Sequence, residues 1–269
     1  MKPLQFRNKW ILVTGASSGL GREMARLLAL EHKANLILSA RRRDKLEELK
    51  AELSGSGVEI NIKVADLSVP GEADRLMEEC LSEQSLYGAI LNAGVTYFGR
   101  QTELDWQKFE NILQTNVVGV VRMTNRLVSH FEQTGEEGAL MVVASMAAFY
   151  PVPYQAAYSG TKGFILNFIT ALSHELQNKK LSLTVYAPAG IATEMTGGEK
   201  FDSLKGWLMP VDQAAREGLL AFRTRKYTYI PGILNRLGSV FMRFLPAKFL
   251  AGRMGKVYRE ALLRSETRH

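Results

Sequence analysis

The segment AAYSGTK sets Tyr158 and Lys162 four residues apart, on one face of a helix. A free phenol, with a pKa of about 10, is a poor base at neutral pH. A neighbouring ammonium, joined by the cationic ring of an oxidised nicotinamide, favours the phenolate and is expected to lower that value. The tyrosine can then give or take an alcohol proton while hydride moves to or from the nicotinamide. A Tyr-x-x-x-Lys spacing occurs by chance on many helices, so its neighbours matter. Ser145, in VVASMAA, closes an apolar run, where its hydroxyl can hold a substrate oxygen or cap the next helix. Asn116, in LQTNVVG, falls in a helical stretch that asparagine does not favour. Buried there it needs partners, and a water bridging it to Lys162 would supply them.

The elements that must carry these groups are legible from apolar runs. Residues 10–15, 35–40, 58–66, 87–94, 139–146 and 181–188 read as strands, with a seventh at 226–231. Helical patterns lie between them at about 19–31, 43–53, beyond Pro70, 105–133 and 156–177. The alternation predicts a single doubly wound α/β domain of Rossmann type, a mostly parallel sheet of about seven strands with helices on both faces. We assign residues 1–230 to this dinucleotide-binding and catalytic unit and 231–269 to a C-terminal amphipathic helical extension.

In such a sheet the first strand-to-helix turn faces the ligand. Here it reads LVTGASSGLGREM, with Gly15, Gly19 and Gly21 between strand and helix. The unpaired amides and positive dipole end of that helix attract a pyrophosphate, and glycine lets it come close. NAD enzymes usually carry an acid after the second strand; this chain has SARRR, with Ala40 in that place. A guanidinium suits the 2′-phosphate of NADP, so Arg41 first and Arg42 second are assigned to it, and NADP(H) is expected over NAD(H). Arg43 reads as a solvent-facing helix residue.

Composition narrows the rest. The net charge is +7 over 269 residues, with a basic group running Arg223, Arg225, Lys226, Arg236, Arg243, Lys248, Arg253, Lys256, Arg259. No zinc finger, basic zipper or aromatic RNA-binding signature accompanies it, so nucleic acid is not expected. The single cysteine, Cys80, excludes an internal disulfide and a cysteine metal cluster, and the four histidines suggest no zinc site. A signal peptide and a run of about 18 apolar residues are both missing, which points to the cytoplasm. In the tail, Ile233, Leu234, Leu237, Val240, Phe241, Phe244 and Leu245 repeat at helical spacing, followed by Leu250, Met254, Val257, Tyr258, Ala261 and Leu262. Such a stripe is expected to pack on its own domain or a partner subunit, with a peripheral membrane contact as the alternative.

Taken together, residues 8–230 resemble the short-chain dehydrogenase/reductase family in its compact form. Thr14-Gly15-x-x-x-Gly19-x-Gly21 is similar to its cofactor loop, which would include Ser17, Ser18 and Leu20. Asp66, followed by Leu67, matches the acid that bonds the adenine amino group, and Asn92-Ala93-Gly94 the motif that steadies the sheet. Asn116, Ser145, Tyr158 and Lys162 match the catalytic tetrad in order and spacing. The resemblance implies hydride transfer from the B face of NAD(P)H, with Lys162 also holding the nicotinamide ribose. It implies contacts to the carboxamide from the loop of Pro188, Ile191 and Thr193. The family's usual glycine after that proline is Ala189 here, and Leu91 replaces the first Asn of Asn-Asn-Ala-Gly. Loops 95–99, 146–158 and 195–210 would line the substrate cleft, and their apolar, aromatic make-up implies a hydrophobic ketone, aldehyde or alcohol. Phe149, Tyr150 and Tyr154 read equally well as a core or subunit contact. Dimers or tetramers through the helices bearing Asn116 and Tyr158 are implied too. Two alternatives stand beside an NADPH-dependent carbonyl reductase: a non-catalytic NADP(H)-sensing regulator and a membrane-surface long-chain 3-oxoacyl reductase.

Overall fold

A computed structural model describes residues 2–197, 206, 208–242 and 244–266. Seven short strands form one sheet: β1 (Trp10–Thr14), β2 (Asn35–Ala40), β3 (Ile60–Val64), β4 (Leu86–Leu91), β5 (Gly138–Val143), β6 (Leu181–Tyr186) and β7 (Thr228–Tyr229). Every pairing is parallel, in the order β3-β2-β1-β4-β5-β6-β7. The central strands β4, β5 and β6 are buried along their whole length, which is why they read as unbroken apolar runs. The strand order reverses between β1 and β4, opening a crevice beyond their carboxyl ends.

Helices α1 (Gly19–Leu30), α2 (Arg43–Glu52), α3 (Glu72–Glu83), α4 (Trp106–Leu113), α5 (Gly119–Thr134), α6 (Ala156–Glu175) and α7 (Val211–Arg223) cover both faces. One face packs Met24, Leu28, Leu46 and Phe222 into a core; the other packs Leu76, Cys80, Phe131 and Ile165. Helices α4 and α5 are continuous through a wider π turn, Gln114–Val118, with Asn116 at its middle. The strand expected at 58–66 is cut to five residues, so Asp66 stands beyond its end, facing the crevice side.

The tail divides into α8 (Ile233–Met242) and α9 (Ala247–Glu266), and the two behave differently. Helix α9 buries Leu250, Ala261 and Leu262, and its Tyr258 meets Phe98 edge to face at 5.3 Å. Of the two placements expected for the apolar stripe, its own domain or a partner subunit, α8 does not take the first. Its one buried residue is Ser239, while Ile233, Leu234, Leu237, Val240 and Phe241 are each more than half exposed. The physical reason is that α8 docks by its polar side. The Arg236 guanidinium lies 4.6 Å above the Tyr229 ring and donates to the Tyr229 hydroxyl at 2.7 Å and to the Ile230 carbonyl at 3.2 Å. Cation stacking and charge-assisted bonds fix the helix, and the apolar stripe turns outward.

Candidate active site

The glycine loop is fixed from below. Thr14 Oγ1 accepts the Asn92 and Ala93 amides at 3.0 and 3.1 Å, and Asn92 Nδ2 donates to the Thr14 carbonyl at 3.1 Å. This ties the end of β1 to the turn after β4, across the point where the strand order reverses. Gly15 and Gly19 hold positive φ angles of 67° and 52°, which side chains resist. A Cβ on Gly21 would stand 2.5 Å from the Gly15 carbonyl oxygen, and one on Gly19 would stand 3.1 Å from Thr193. Ser18 occupies the cap position of α1 yet makes no side-chain cap bond, so the first amides of the helix keep their donors for an anion. Ser17 hydroxyl accepts from Arg42 at 3.2 Å, and Leu20 is buried behind the loop.

The arginines after β2 are disposed unequally. Arg42 reaches back to Ser17 and to Glu194 at 3.1 Å, bridging the glycine loop and the turn after Thr193. Arg41 is largely exposed, 3.8 Å from a carboxylate oxygen of Asp66. The other Asp66 oxygen accepts from the Ser68 amide and hydroxyl at 3.0 and 2.7 Å, and Leu67 is buried. On the far side the Pro188 carbonyl accepts the Met146 amide at 2.8 Å. Ile191 pairs with Met209, and Thr193 caps a short turn by bonding with Thr196. Residues 198–205 and 207 of the predicted cleft lining lie outside the described residues.

The four chemistry-bearing residues converge at the carboxyl end of β4 and β5. Lys162 Nζ is buried and donates to the Val143 carbonyl at 2.8 Å. Ser145, two residues past β5, accepts the Ala147 amide at 3.1 Å, and its hydroxyl opposes the upward push of burial on the Tyr158 phenol. It thus caps the turn that follows, one of the two roles its position offered, and stands close to the tyrosine. Asn116 is fully buried: it accepts the Val95 amide at 2.9 Å and donates to the Val95 carbonyl at 2.8 Å and to Thr161 Oγ1 at 3.2 Å. These partners satisfy the buried side chain, which the π turn brings directly against the strand-end loop. A Cβ on Gly94 would lie 3.3 Å from Asn116 Oδ1 and 3.4 Å from Lys162 Nζ, so glycine keeps these two groups close.

Burial pushes the Tyr158 phenol up from its ordinary value, opposed by the Ser145 hydrogen bond, and Tyr258 adds to the upward push. Burial also pushes Lys162 down to about 8. In this arrangement burial is the largest influence on both groups. Tyr258 and Thr161 were missed as site residues. Tyr258 belonged to the tail stripe and nothing in its spacing brought it to Tyr158, whereas Thr161 sits inside the Tyr-x-x-x-Lys segment. Among the described residues no group of His, Cys, Asp and Glu is gathered to hold a metal ion.

Comparison with known proteins places this geometry. Residues 9–202 match the family model described as short chain dehydrogenase. Glucose 1-dehydrogenase of Gluconobacter oxydans (strain 621H) is 29% identical over 191 residues, covering 70% of this chain and 71% of that one. The human inactive hydroxysteroid dehydrogenase-like protein 1 is also 29% identical, over 75% of this chain and 62% of its own length. A short-chain dehydrogenase from Sphingobium yanoikuyae, solved in complex with NADPH, is 27% identical with a TM-score of 0.78, covering 88% of this chain and 96% of that one.

Proposed function

Because the chain belongs to the short-chain dehydrogenase family, whose members are oxidoreductases acting on CH–OH groups, we propose that it interconverts a hydrophobic ketone or aldehyde and its alcohol with NADP(H). The observation that carries the reading is the meeting of Ser145, Tyr158 and Lys162 at the end of β5, beside a helix start with free amides.

When bound, the reduced nicotinamide supplies hydride to the carbonyl carbon. The residues of this chain do the rest. Ser145 holds the substrate oxygen, and Tyr158 delivers a proton to it, or removes one in the reverse direction. Lys162, anchored on Val143, presents a positive charge beneath the phenol and a donor to the nicotinamide ribose. The amides of Ser17 to Gly21 cradle the pyrophosphate, and Asp66 and Leu67 border the adenine. Asn92, Ala93 and Gly94 hold that floor in place. Ile191 and Thr193, after Pro188, border the carboxamide. Arg41 and Arg42 take the 2′-phosphate, and no carboxylate stands at Ala40 to repel it.

The apolar surface around Tyr158 supports a hydrophobic substrate: Tyr150 is pushed up to about 12 by burial, and Phe98, Tyr154 and Tyr258 cluster nearby. Exposed Leu113 and Phe164, on the helices flanking Asn116 and Tyr158, fit a homo-oligomer contact. A relative named as inactive keeps a non-catalytic NADP(H)-binding regulator as the second reading. The buried Lys162, anchored on the Val143 carbonyl beside Tyr158, favours turnover. NADPH oxidation measured over ketones of graded size and polarity tests this: consumption rising with apolar size supports the reading, and none with any carbonyl favours the regulator.

A further inference from the structure

We propose that α8 and the outer face of α9 form a docking surface for an anionic lipid bilayer, lying in the plane of its headgroups. Two independent observations meet there. Leu234 and Phe244 are 81% and 82% exposed, and Ile233, Leu237, Val240, Phe241, Phe249 and Val257 continue the apolar surface. So many adjoining apolar side chains in water mark an interaction surface rather than scattered exposure. The same stretch, residues 231–266, carries seven Lys or Arg against two Glu, and of the seven only Arg236, among the described residues, is held against the sheet.

The polar anchoring of α8 makes this outward display a fixed feature. Arg236 is held by Tyr229, Ile230 and Glu217, and Ser239 faces the protein, so the helix cannot roll its stripe inward without breaking those bonds. Charge decides between occupants. A second copy seated on this face would bring like charges together across a self-complementary contact. Anionic headgroups would neutralise them, while the apolar side chains enter the acyl boundary. No helix among the described residues is long and apolar enough to span a bilayer, so the contact is in-plane.

Docking has a consequence for the site. Helix α9 also walls a cavity of about 500 Å³ between Arg100–Thr102 and Pro153–Tyr154, lined on its own side by Gly255, Lys256 and Arg259. Its Tyr258 adjoins Tyr150 and Tyr158. A lipid-dissolved carbonyl compound leaving the bilayer would meet this cavity, whose Tyr154 lies four residues before Tyr158. This last step rests on the proposed activity; the docking does not.

Co-sedimentation with vesicles of phosphatidylcholine containing phosphatidylglycerol, against pure phosphatidylcholine, tests the docking. The full chain is expected to bind the anionic vesicles at least about tenfold better, and to be released at about 1 M salt, where screening is strong. The double variant Leu234→Glu/Phe241→Glu, changed only at exposed positions, should lose binding while its melting temperature and its turnover of a water-soluble ketone stay at wild-type values. Wild-type protein left in the supernatant, or equal binding by the variant, overturns the proposal. So does a wild-type dimer that the variant dissociates without any vesicle binding, which would make a second copy the occupant. Vesicle binding without NADPH turnover would instead refute the activity and leave the docking standing.

Discussion

Lys162 Nζ stands 5.8 Å from the centre of the Tyr158 ring and gives its hydrogen bond to the Val143 carbonyl, 2.8 Å away. The ammonium is thus anchored on the sheet, within reach of the phenol's field and with no carboxylate partner among the described residues. Its value of about 8 leaves it mostly charged at neutral pH.

The same shift makes a stability prediction. Unfolded, the lysine titrates near 10.5; folded, near 8. Between these values the unfolded chain binds a proton that the folded chain does not, so stability rises with pH across that window. Below it the burial cost is constant. Denaturation of wild type and Lys162→Met without dinucleotide, at pH 8 and 10.5, should show wild type gaining about 2–3 kcal/mol on the variant as pH rises. A difference that does not change with pH contradicts the shift.

Ser145 opposes the burial of Tyr158. Ser145→Ala should leave the phenol higher still, moving the alkaline limb of alcohol oxidation to higher pH and lowering kcat by about a hundredfold or more. A pH–rate profile that falls in height without moving would show that the serine acts on substrate alone.

For the cofactor, a charge-assisted phosphate contact is worth about 1.5–3 kcal/mol. Arg41→Ala should therefore raise the KM for NADPH by roughly ten- to a hundredfold and leave that for NADH nearly unchanged. Arg42→Ala should act in the same direction and also cost the Ser17 and Glu194 contacts. Equal losses on both cofactors would remove the arginines from 2′-phosphate recognition.

Asn116 joins the π turn to the loop after β4 and to α6 through three side-chain hydrogen bonds. Asn116→Leu strands the half-buried Val95 amide and carbonyl and should destabilise by about 1–3 kcal/mol, read as a lower urea midpoint. An unchanged midpoint would mean that the π turn forms without it.

How much of this was legible beforehand follows from what each signal depends on. The parallel sheet and the glycine loop were, because buried strands and a phosphate turn leave local marks: VVAS, LVTG, Gly at 15, 19 and 21. The orientation of α8 was not. Periodicity says that Ile233, Leu237 and Phe241 share a face, but only the stacking of Arg236 on Tyr229 decides that the face points outward. Likewise the spacing placed Lys162 near Tyr158 but could not weigh its charge against burial, which depends on the helices and loops closing over both. Tyr258, a hundred residues beyond Tyr158 in sequence, was visible only as a member of a stripe.

The central claim is that the Tyr158 phenol exchanges the proton of the reacting oxygen. The most direct measurement is NADPH consumption by Tyr158→Phe with an apolar ketone, alongside NADPH binding followed by fluorescence. The account predicts turnover reduced by about a hundredfold or more, with the Kd for NADPH within a few-fold of wild type. Undiminished turnover by the phenylalanine variant would contradict it.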